Sequence, residues 1–245
     1  MKKLFRTGLN QGATLLDWLL QKPCPLCDRL TASALCPDCW HQVDRCQVGC
    51  SAHFSLDCQP TGQLQEISVF TWGNYGGALK RTIAALKYHN QPQLARPLGD
   101  RLAQAWLKTL PNVEPLSIVP IPLHAEKQRQ RGFNQAERLA EAFCDRTGLP
   151  LQREGLIRVR LTEAQFRLTS TAREQNLSNA FRAGRFSRSA PSRVLLIDDI
   201  YTTGATARAA VQALQQQQIS VWGIAVVARS QISARSHDRA GRRIL

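Results

Sequence analysis

The stretch that most constrains the fold of this 245-residue chain is residues 194–206. An apolar run leads into two adjacent carboxylates, Asp198 and Asp199, and then into a loop with one glycine and several hydroxyls, beyond which a helical pattern begins. A continuous apolar run is typical of a strand buried on both faces of a parallel sheet. Ligands of open α/β sheets bind at the carboxyl ends of strands, where the next helix offers unpaired N–H groups to a phosphate. The sequence therefore predicts a phosphate loop directly after this strand.

The chemistry of the loop indicates which phosphate compound it binds. Hydroxyl donors and a flexible backbone surround the start of the helix, in the order Thr202, Thr203, Gly204, Ala205 and Thr206. The glycine allows the backbone to approach a ligand closely. The two carboxylates would repel a bare polyphosphate, so they fit acceptors for ribose hydroxyls or ligands for Mg2+. A sugar diol beside a monophosphate pocket points to a ribose 5-phosphate.

The rest of the chain alternates between predicted strands and predicted helices. Apolar periodicity predicts helices at residues 78–88, 93–110, 135–146 and 205–218. Buried strands are predicted at residues 67–72, 117–123, 193–197 and 221–227. This alternation is typical of βαβ units, so the predicted fold class is α/β with an open parallel sheet.

A cluster of cysteines predicts a small metal-binding module before the sheet. Seven of the eight cysteines fall within residues 24–58, which are poor in Val and Ile. Two C-x2-C pairs, Cys24 with Cys27 and Cys36 with Cys39, can supply the four corners of a tetrahedral zinc site. Four thiolates leave no open coordination position, so a structural role is expected. Reduced surface thiols are the alternative.

The remaining cysteines give a weaker signal. Cys46, Cys50 and Cys58, with His41 and His53 nearby, could form a second metal site, but their spacing is irregular. The sequence leaves that question open. Cys144 lies on the apolar side of a predicted helix and is expected to be a small core residue.

The charge of the chain indicates an anionic partner. Lys and Arg number 32 against 18 Asp and Glu, which gives a net charge of +14, and most of the cations are Arg. Arg grips phosphate bidentately. Residues 124–193 carry half of this excess, with Phe, Asn and Gln interleaved among the arginines. That mixture suits single-stranded DNA, whose phosphates attract cations and whose bases stack on rings. A solvated surface with Phe in the core is the alternative.

The phosphate loop resembles the phosphoribosyl-pyrophosphate (PRPP) motif of type I phosphoribosyltransferases. Further strings in chain order extend the resemblance to the ComF/GntX-like family over roughly residues 20–230: Cys-rich knuckles, Ala-Ala-Leu-Lys87-Tyr88, Val-Pro-Ile-Pro-Leu-His124, Arg131-Gly-Phe-Asn-Gln, Arg173-Glu-Gln-Asn and Ala180-Phe-Arg. The resemblance implies a type I phosphoribosyltransferase fold and an association with natural competence. Many members carry further C-x2-C pairs, which this chain lacks.

The resemblance also implies the roles of individual residues. Asp198 and Asp199 would bind the ribose hydroxyls of PRPP and, with PRPP, Mg2+; residues 202–206 would bind its 5-phosphate. Lys87 and Arg131 are the candidate cations for the pyrophosphate. A solvated cation at a helix end is the alternative for Lys87. No residue is indicated as a catalytic base.

Three hypotheses about function follow. The first is a PRPP-binding protein of natural competence that handles incoming single-stranded DNA, with proteins of the competence machinery as further partners. The second is an active phosphoribosyltransferase in nucleobase salvage or regulation, and the third is a zinc-stabilised DNA-binding module with a relic PRPP site. No apolar run is long enough for a membrane span, so a cytoplasmic location is expected. The expected division is an N-terminal helix with the zinc module at 1–61, the phosphoribosyltransferase-like domain at 62–230 and a basic tail at 231–245.

Overall fold

The computed structural model describes residues 21–48, 54–58, 65–110, 115–160, 180–187 and 193–230, with residues 54–58 and 65–66 described by their backbone alone. In chain order the strands are β1 (Lys22–Pro23), β2 (Leu30–Thr31), β3 (Phe54–Cys58), β4 (Gln65–Asn74), β5 (Ser117–Pro120), β6 (Leu156–Arg158), β7 (Phe181–Ala183), β8 (Arg193–Tyr201) and β9 (Ser220–Arg229). The helices are α1 (Pro37–Asp44), α2 (Gly77–Tyr88), α3 (Ala95–Thr109), α4 (Ala125–Arg131), α5 (Gln135–Thr147) and α6 (Ala205–Gln215).

The central sheet has the strand order β3-β4-β9-β8-β5. Strands β4, β9, β8 and β5 are parallel, and β3 is antiparallel to β4 at one edge. Two small antiparallel ladders, β1 with β2 and β6 with β7, lie outside this sheet. The predicted open parallel α/β sheet is therefore confirmed.

Each face of the sheet carries its own core. Leu195 and Ile197 of β8 pack into one cluster with residues of α2, α3 and α5. Val194 and Leu196, which alternate with them, pack into a second cluster with α6 and the β6–β7 ladder. Because side chains alternate across a strand, the residues that follow along β8 are also divided between these two layers.

The Cys-rich segment packs onto the first of these layers. Leu35 and Val43 are fully buried in the same cluster as Leu79 of α2. Beyond α1 the chain runs beside the end of β4: the N–H of Asn74 donates to the carbonyl of Cys46 at 2.9 Å, and the N–H of Val48 donates to that of Trp72 at 3.0 Å. A Cβ on Gly73 would lie 2.8 Å from the Cys46 carbonyl oxygen, so this close approach requires glycine.

Most predicted elements are confirmed with shifted ends. The strand predicted at 117–123 ends at Pro120, because Pro122 has no N–H to donate. The helix predicted at 93–110 begins at Ala95, after a single 3-10 turn. The helix predicted at 205–218 ends at Gln215, and Gln218 has a left-handed backbone with φ of 58°.

Some predictions fall on residues outside those that the structure describes. They concern the N-terminal helix, the basic tail and much of the basic segment after residue 160. In the second candidate metal site they also include Cys50, His53 and the side chain of Cys58. Within the described part of the chain, no helix has both the length and the apolar character needed to cross a membrane.

Candidate functional site

The predicted phosphate loop joins β8 to α6. Gly204 caps the helix in the left-handed conformation, with φ of 76°, a backbone geometry that favours glycine. The Thr203 hydroxyl accepts from the N–H of Ala205 at 3.4 Å, and Arg208 donates to the Thr203 carbonyl at 3.1 Å. Thr202 is exposed and Thr206 is half-buried. The loop thus places hydroxyls beside the first turn of an eleven-residue helix, where N–H groups lack intrahelical partners.

The two carboxylates lie within β8 rather than after it. The sequence predicts that the strand ends before them, but it continues to Tyr201, with Asp198 opposite Val226 of β9. Parallel pairing with β9 extends the strand beyond its apolar run. Asp199 is buried, Asp198 is half-buried, and the N–H of Asp199 donates to the Asp198 carboxylate at 2.8 Å. The sheet therefore fixes both acids.

Lys87 reaches the buried acid from the end of α2. Its Nζ lies 2.6 Å from Oδ2 of Asp199, and the two side chains are 17% and 4% exposed. Burial by itself would lower the pKa of Lys87, but the carboxylates of Asp199 and Asp198 outweigh it and the pKa is raised. The alternative of a solvated cation at a helix end is therefore wrong, because Lys87 is a buried counter-ion.

The other acid has a different cationic neighbour. Burial, followed by the charge of Asp199, raises the pKa of Asp198 well above its ordinary value, and Lys87 offsets part of this. Burial lowers the pKa of Arg158 at the end of β6, and the charge of Asp198 offsets part of that shift. The Arg158 guanidinium lies 5.3 Å from the centre of the Phe181 ring. Sequence reasoning placed Arg158 only in the basic segment, since nothing local marks its approach to Asp198.

Arg131 lies at a corner between two helices. Gly132, with φ of 82°, ends α4, and Asn134 begins α5 by accepting from the N–H of Ala136 at 3.1 Å. The amide of Asn134 donates to the carbonyl of Ile121 at 3.2 Å, which ties this corner to the end of β5. The Arg-Gly-Phe-Asn string is therefore a structural turn that positions Arg131.

The cations of this region lie close together. The Arg131 guanidinium bonds the side-chain oxygen of Gln135 and lies 5.7 Å from the centre of the ring of Tyr88, the residue after Lys87. Burial, followed by the charges of Arg158 and Arg131, lowers the pKa of Lys127 on α4. The candidate site therefore combines two acids, the Thr-Gly loop and cations from α2, α4 and β6.

Asp198→Asn is expected to stabilise the protein above neutral pH. A raised pKa means that Asp198 contributes stability below about pH 4, its unfolded value, and loses that contribution as the pH rises through the raised value. Asparagine keeps the acceptor for the Asp199 N–H without the charge. The midpoint of thermal unfolding should rise by roughly 3–6 °C at pH 8 and by less at pH 4. In the control Asp145→Asn, which removes an exposed acid, the difference from wild type should not follow this pH dependence.

The four paired cysteines form a compact cluster. The sulfurs of Cys24, Cys27, Cys36 and Cys39 all lie within 4.8 Å of one another. Four sulfurs at about 2.3 Å from a tetrahedral zinc are separated by similar distances, so the set could hold a metal such as zinc. The N–H of Cys36 also points to the Cys24 sulfur at 3.4 Å, and despite burial such backbone N–H groups lower the pKa of Cys24 to about 7.

Two other cysteines lie apart from this cluster. The thiol of Cys46 contacts the carbonyls of Gln42 and Gly76, at 3.6 and 3.7 Å. Cys144 is half-buried against the core, and burial raises its pKa to about 12. Cys144 therefore contacts the core from its edge, whereas the sequence predicts a residue within the core.

The sheet, the acidic strand end and the Thr-Gly loop define an α/β protein of the type I phosphoribosyltransferase kind with an N-terminal four-cysteine cluster. No family model matches the chain. Competence protein F of Haemophilus influenzae is 32% identical over 161 residues, which cover 62% of this chain and 70% of that protein. Competence protein ComFC of Bacillus subtilis is 31% identical over 196 residues, 79% of this chain and 72% of that protein. The chain belongs to the ComF/GntX-like family.

Other similar proteins have related names. The DNA utilization protein YhgH of Salmonella typhimurium is 28% identical over 228 residues, 84% of this chain and 95% of that protein. Among solved structures, glutamine PRPP amidotransferase from B. subtilis is 21% identical with a TM-score of 0.32, covering 56% of this chain and 26% of that chain. Adenine phosphoribosyltransferase from Leishmania donovani is 13% identical with a TM-score of 0.37, and the match covers 83% of this chain and 86% of that chain.

Proposed function

We propose that this protein binds PRPP at the end of β8 and acts in natural competence, handling incoming single-stranded DNA in transformation or DNA utilisation. The observation that carries the PRPP proposal is the Thr-Gly loop at residues 202–206, at the start of a helix and beside two acids held within β8. The names of its competence and DNA-utilisation relatives support the biological setting.

The proposed roles follow from the position of each group. Hydroxyls and N–H groups of the loop bind the 5-phosphate, and Asp198 and Asp199 accept from the ribose hydroxyls. Arg131 binds the pyrophosphate. Lys87, beside Asp199, also stabilises the pyrophosphate, because its raised pKa keeps its side chain positively charged.

Magnesium fits this site as a companion of PRPP. Carboxylate oxygens are suitable ligands, but Oδ2 of Asp199 already contacts Lys87, so the half-buried Asp198 is the better placed of the two. We therefore expect most oxygens around the ion to come from PRPP and water. Bound there, Mg2+ would neutralise the charge of the pyrophosphate.

An active phosphoribosyltransferase in nucleobase salvage or regulation is the second candidate, favoured by the cations around the acids. In such a reaction the bond from the ribose carbon to pyrophosphate breaks and its electron pair leaves with the pyrophosphate. A nitrogen of the acceptor base forms the new bond and loses its proton. The chain's own contribution would be orientation of the two reactants and stabilisation of the leaving anion by Lys87 and Arg131.

We further propose that the four-cysteine cluster holds a structural zinc ion and that residues 1–61, 62–230 and 231–245 are the module, the main domain and a basic tail. Closed coordination by four thiolates supports a structural role. Cytoplasmic location and contacts with competence proteins complete the proposal.

Calorimetry with PRPP and Mg2+ tests the central claim. The wild-type protein should bind PRPP, and Asp198→Asn combined with Asp199→Asn should weaken binding at least tenfold, because the ribose hydroxyls exchange charged acceptors for neutral, weaker ones and Mg2+ loses its carboxylates. Asp145→Asn is the matched control, since it removes an exposed acid on α5. Absence of binding by the wild type, or equal binding by the double variant, would refute the PRPP site. Pyrophosphate release on addition of a nucleobase would support the transferase.

A further inference from the structure

Tyr88 is an exposed aromatic side chain at the edge of the proposed PRPP site. It is the last residue of α2, follows the buried Lys87, and is 66% exposed, whereas Leu79, Ile83 and Leu86 of the same helix are buried. The Arg131 guanidinium lies 5.7 Å from the centre of its ring. A large ring with an accessible face and a neighbouring cation is suited to stacking with another planar group.

Helix α4 continues this surface away from the site. None of its seven residues is buried. The helix contains three cations, Lys127, Arg129 and Arg131, and one acid, Glu126. Lys127 and Arg131 are four residues apart and so lie on the same face of the helix. The turn at Asn134 holds the end of this helix against the end of β5.

The contacts of Arg131 leave its positive charge available. It bonds the neutral side chain of Gln135 and lies beside the neutral ring of Tyr88. By contrast, Arg146 on α5 forms an ion pair with Asp100 at 2.8 Å, so its charge is already neutralised. Burial, followed by the charges of Arg158 and Arg131, lowers the pKa of Lys127, and the charge of Glu126 offsets part of this shift.

We infer that Tyr88 and the face of α4 that carries Lys127 and Arg131 form a single-stranded DNA surface, in which a base stacks on the Tyr88 ring and backbone phosphates contact these two cations. Stacking on a ring beside cations is how proteins hold single strands without reading sequence. The bases of a duplex are already stacked and cannot reach the ring. This inference rests on the DNA role proposed above, to which it adds the residues that contact the strand.

Fluorescence anisotropy with a labelled oligothymidylate measures the affinity of the protein for single-stranded DNA and tests this surface. Tyr88→Ala should weaken binding about five- to hundredfold, the usual effect of losing one base–ring stack, and Tyr88→Phe should retain affinity. An oligonucleotide of the same length without bases should bind equally to wild type and Tyr88→Ala. Lys127→Ala should weaken binding and lower the slope of log affinity against log salt concentration by about one.

Two variants on α3 are matched controls. Leu107→Ala and Lys108→Ala remove an exposed apolar side chain and an exposed cation from the last turn of α3. Neither should change the affinity for the oligothymidylate. Thermal unfolding of each variant checks that it is folded.

The outcomes separate this inference from the proposed PRPP site. No binding of the oligothymidylate by wild type, or equal affinity in Tyr88→Ala, would overturn the DNA surface even if calorimetry shows PRPP binding. A loss in the two control variants as large as that in Tyr88→Ala and Lys127→Ala would also overturn it. Binding that depends on Tyr88 in a protein that does not bind PRPP would support the surface and refute the PRPP site.

Discussion

Cys39→Ser is expected to lower the midpoint of thermal unfolding by about 10 °C or more. Cys39 is 3% exposed and belongs both to the four-cysteine cluster and to the core that contains Leu79 of α2. Structural zinc binding contributes to folding directly, and three remaining thiols hold the ion more weakly. Since the cluster shares its core with the sheet, the loss should appear in the unfolding of the main domain and not only in the Cys-rich segment.

A neighbouring thiol provides the control for this prediction. Cys46→Ser alters a half-buried cysteine outside the cluster and keeps a donor for the carbonyls of Gln42 and Gly76. It should change the midpoint by only a few degrees. Elemental analysis should find one zinc per wild-type chain, and a chelator should lower the wild-type midpoint toward that of Cys39→Ser. A wild-type protein without metal, or one indifferent to chelation, would contradict the prediction.

Lys87→Met is expected to destabilise the fold by roughly 3–5 kcal/mol at neutral pH, because it leaves the buried Asp199 carboxylate without its counter-ion. Methionine matches the length of the lysine stem, so the lost charge dominates the effect. The free energy of unfolding, measured with urea, should approach the wild-type value on acidification as the carboxyl takes up a proton. In wild type the raised pKa of Lys87 keeps the pair intact until strongly alkaline pH, above about 10.4.

A double variant separates charge from packing in this result. Lys87→Met combined with Asp199→Asn removes both charges and should recover most of the lost stability, since an uncharged pair costs less than a buried single charge. Lys80→Met, on the same helix but with its ammonium 5.9 Å from the centre of the Tyr75 ring, is the control and should have little effect. If the double variant is as unstable as Lys87→Met, the ion pair is not what Lys87 contributes.

Local periodicity was sufficient to predict the helices that carry the site. Apolar residues at helical spacing predict α2 and α5, and Gly148, whose backbone is left-handed, ends α5. The continuous apolar run predicted β8, but pairing with β9 carries the strand on through Asp198 and Asp199 to Tyr201. The residue at which a strand ends depends on its pairing with the neighbouring strand, and the local sequence carries no information about that pairing.

Contacts between distant residues were beyond sequence reasoning. The sequence contains Lys87 and Asp199 as candidates, but only the packing of α2 on the sheet shows that they pair. The sequence around Arg158 does not predict that it lies near Asp198, because β6 is short and pairs with β7, which is distant in the chain. Helix α1 was also missed, because cysteine spacing dominates the pattern of its segment.

The alternation of side chains along β8 has a mechanical consequence. Asp199 belongs to the layer of α2 and the cysteine cluster, and Asp198 belongs to the layer of α6 and the β6–β7 ladder. The sheet separates these layers, so the two neighbouring acids meet different cations, Lys87 from one layer and Arg158 from the other. If PRPP binds both acids as proposed, it would connect the two layers, and core substitutions on either side of the sheet would alter its affinity.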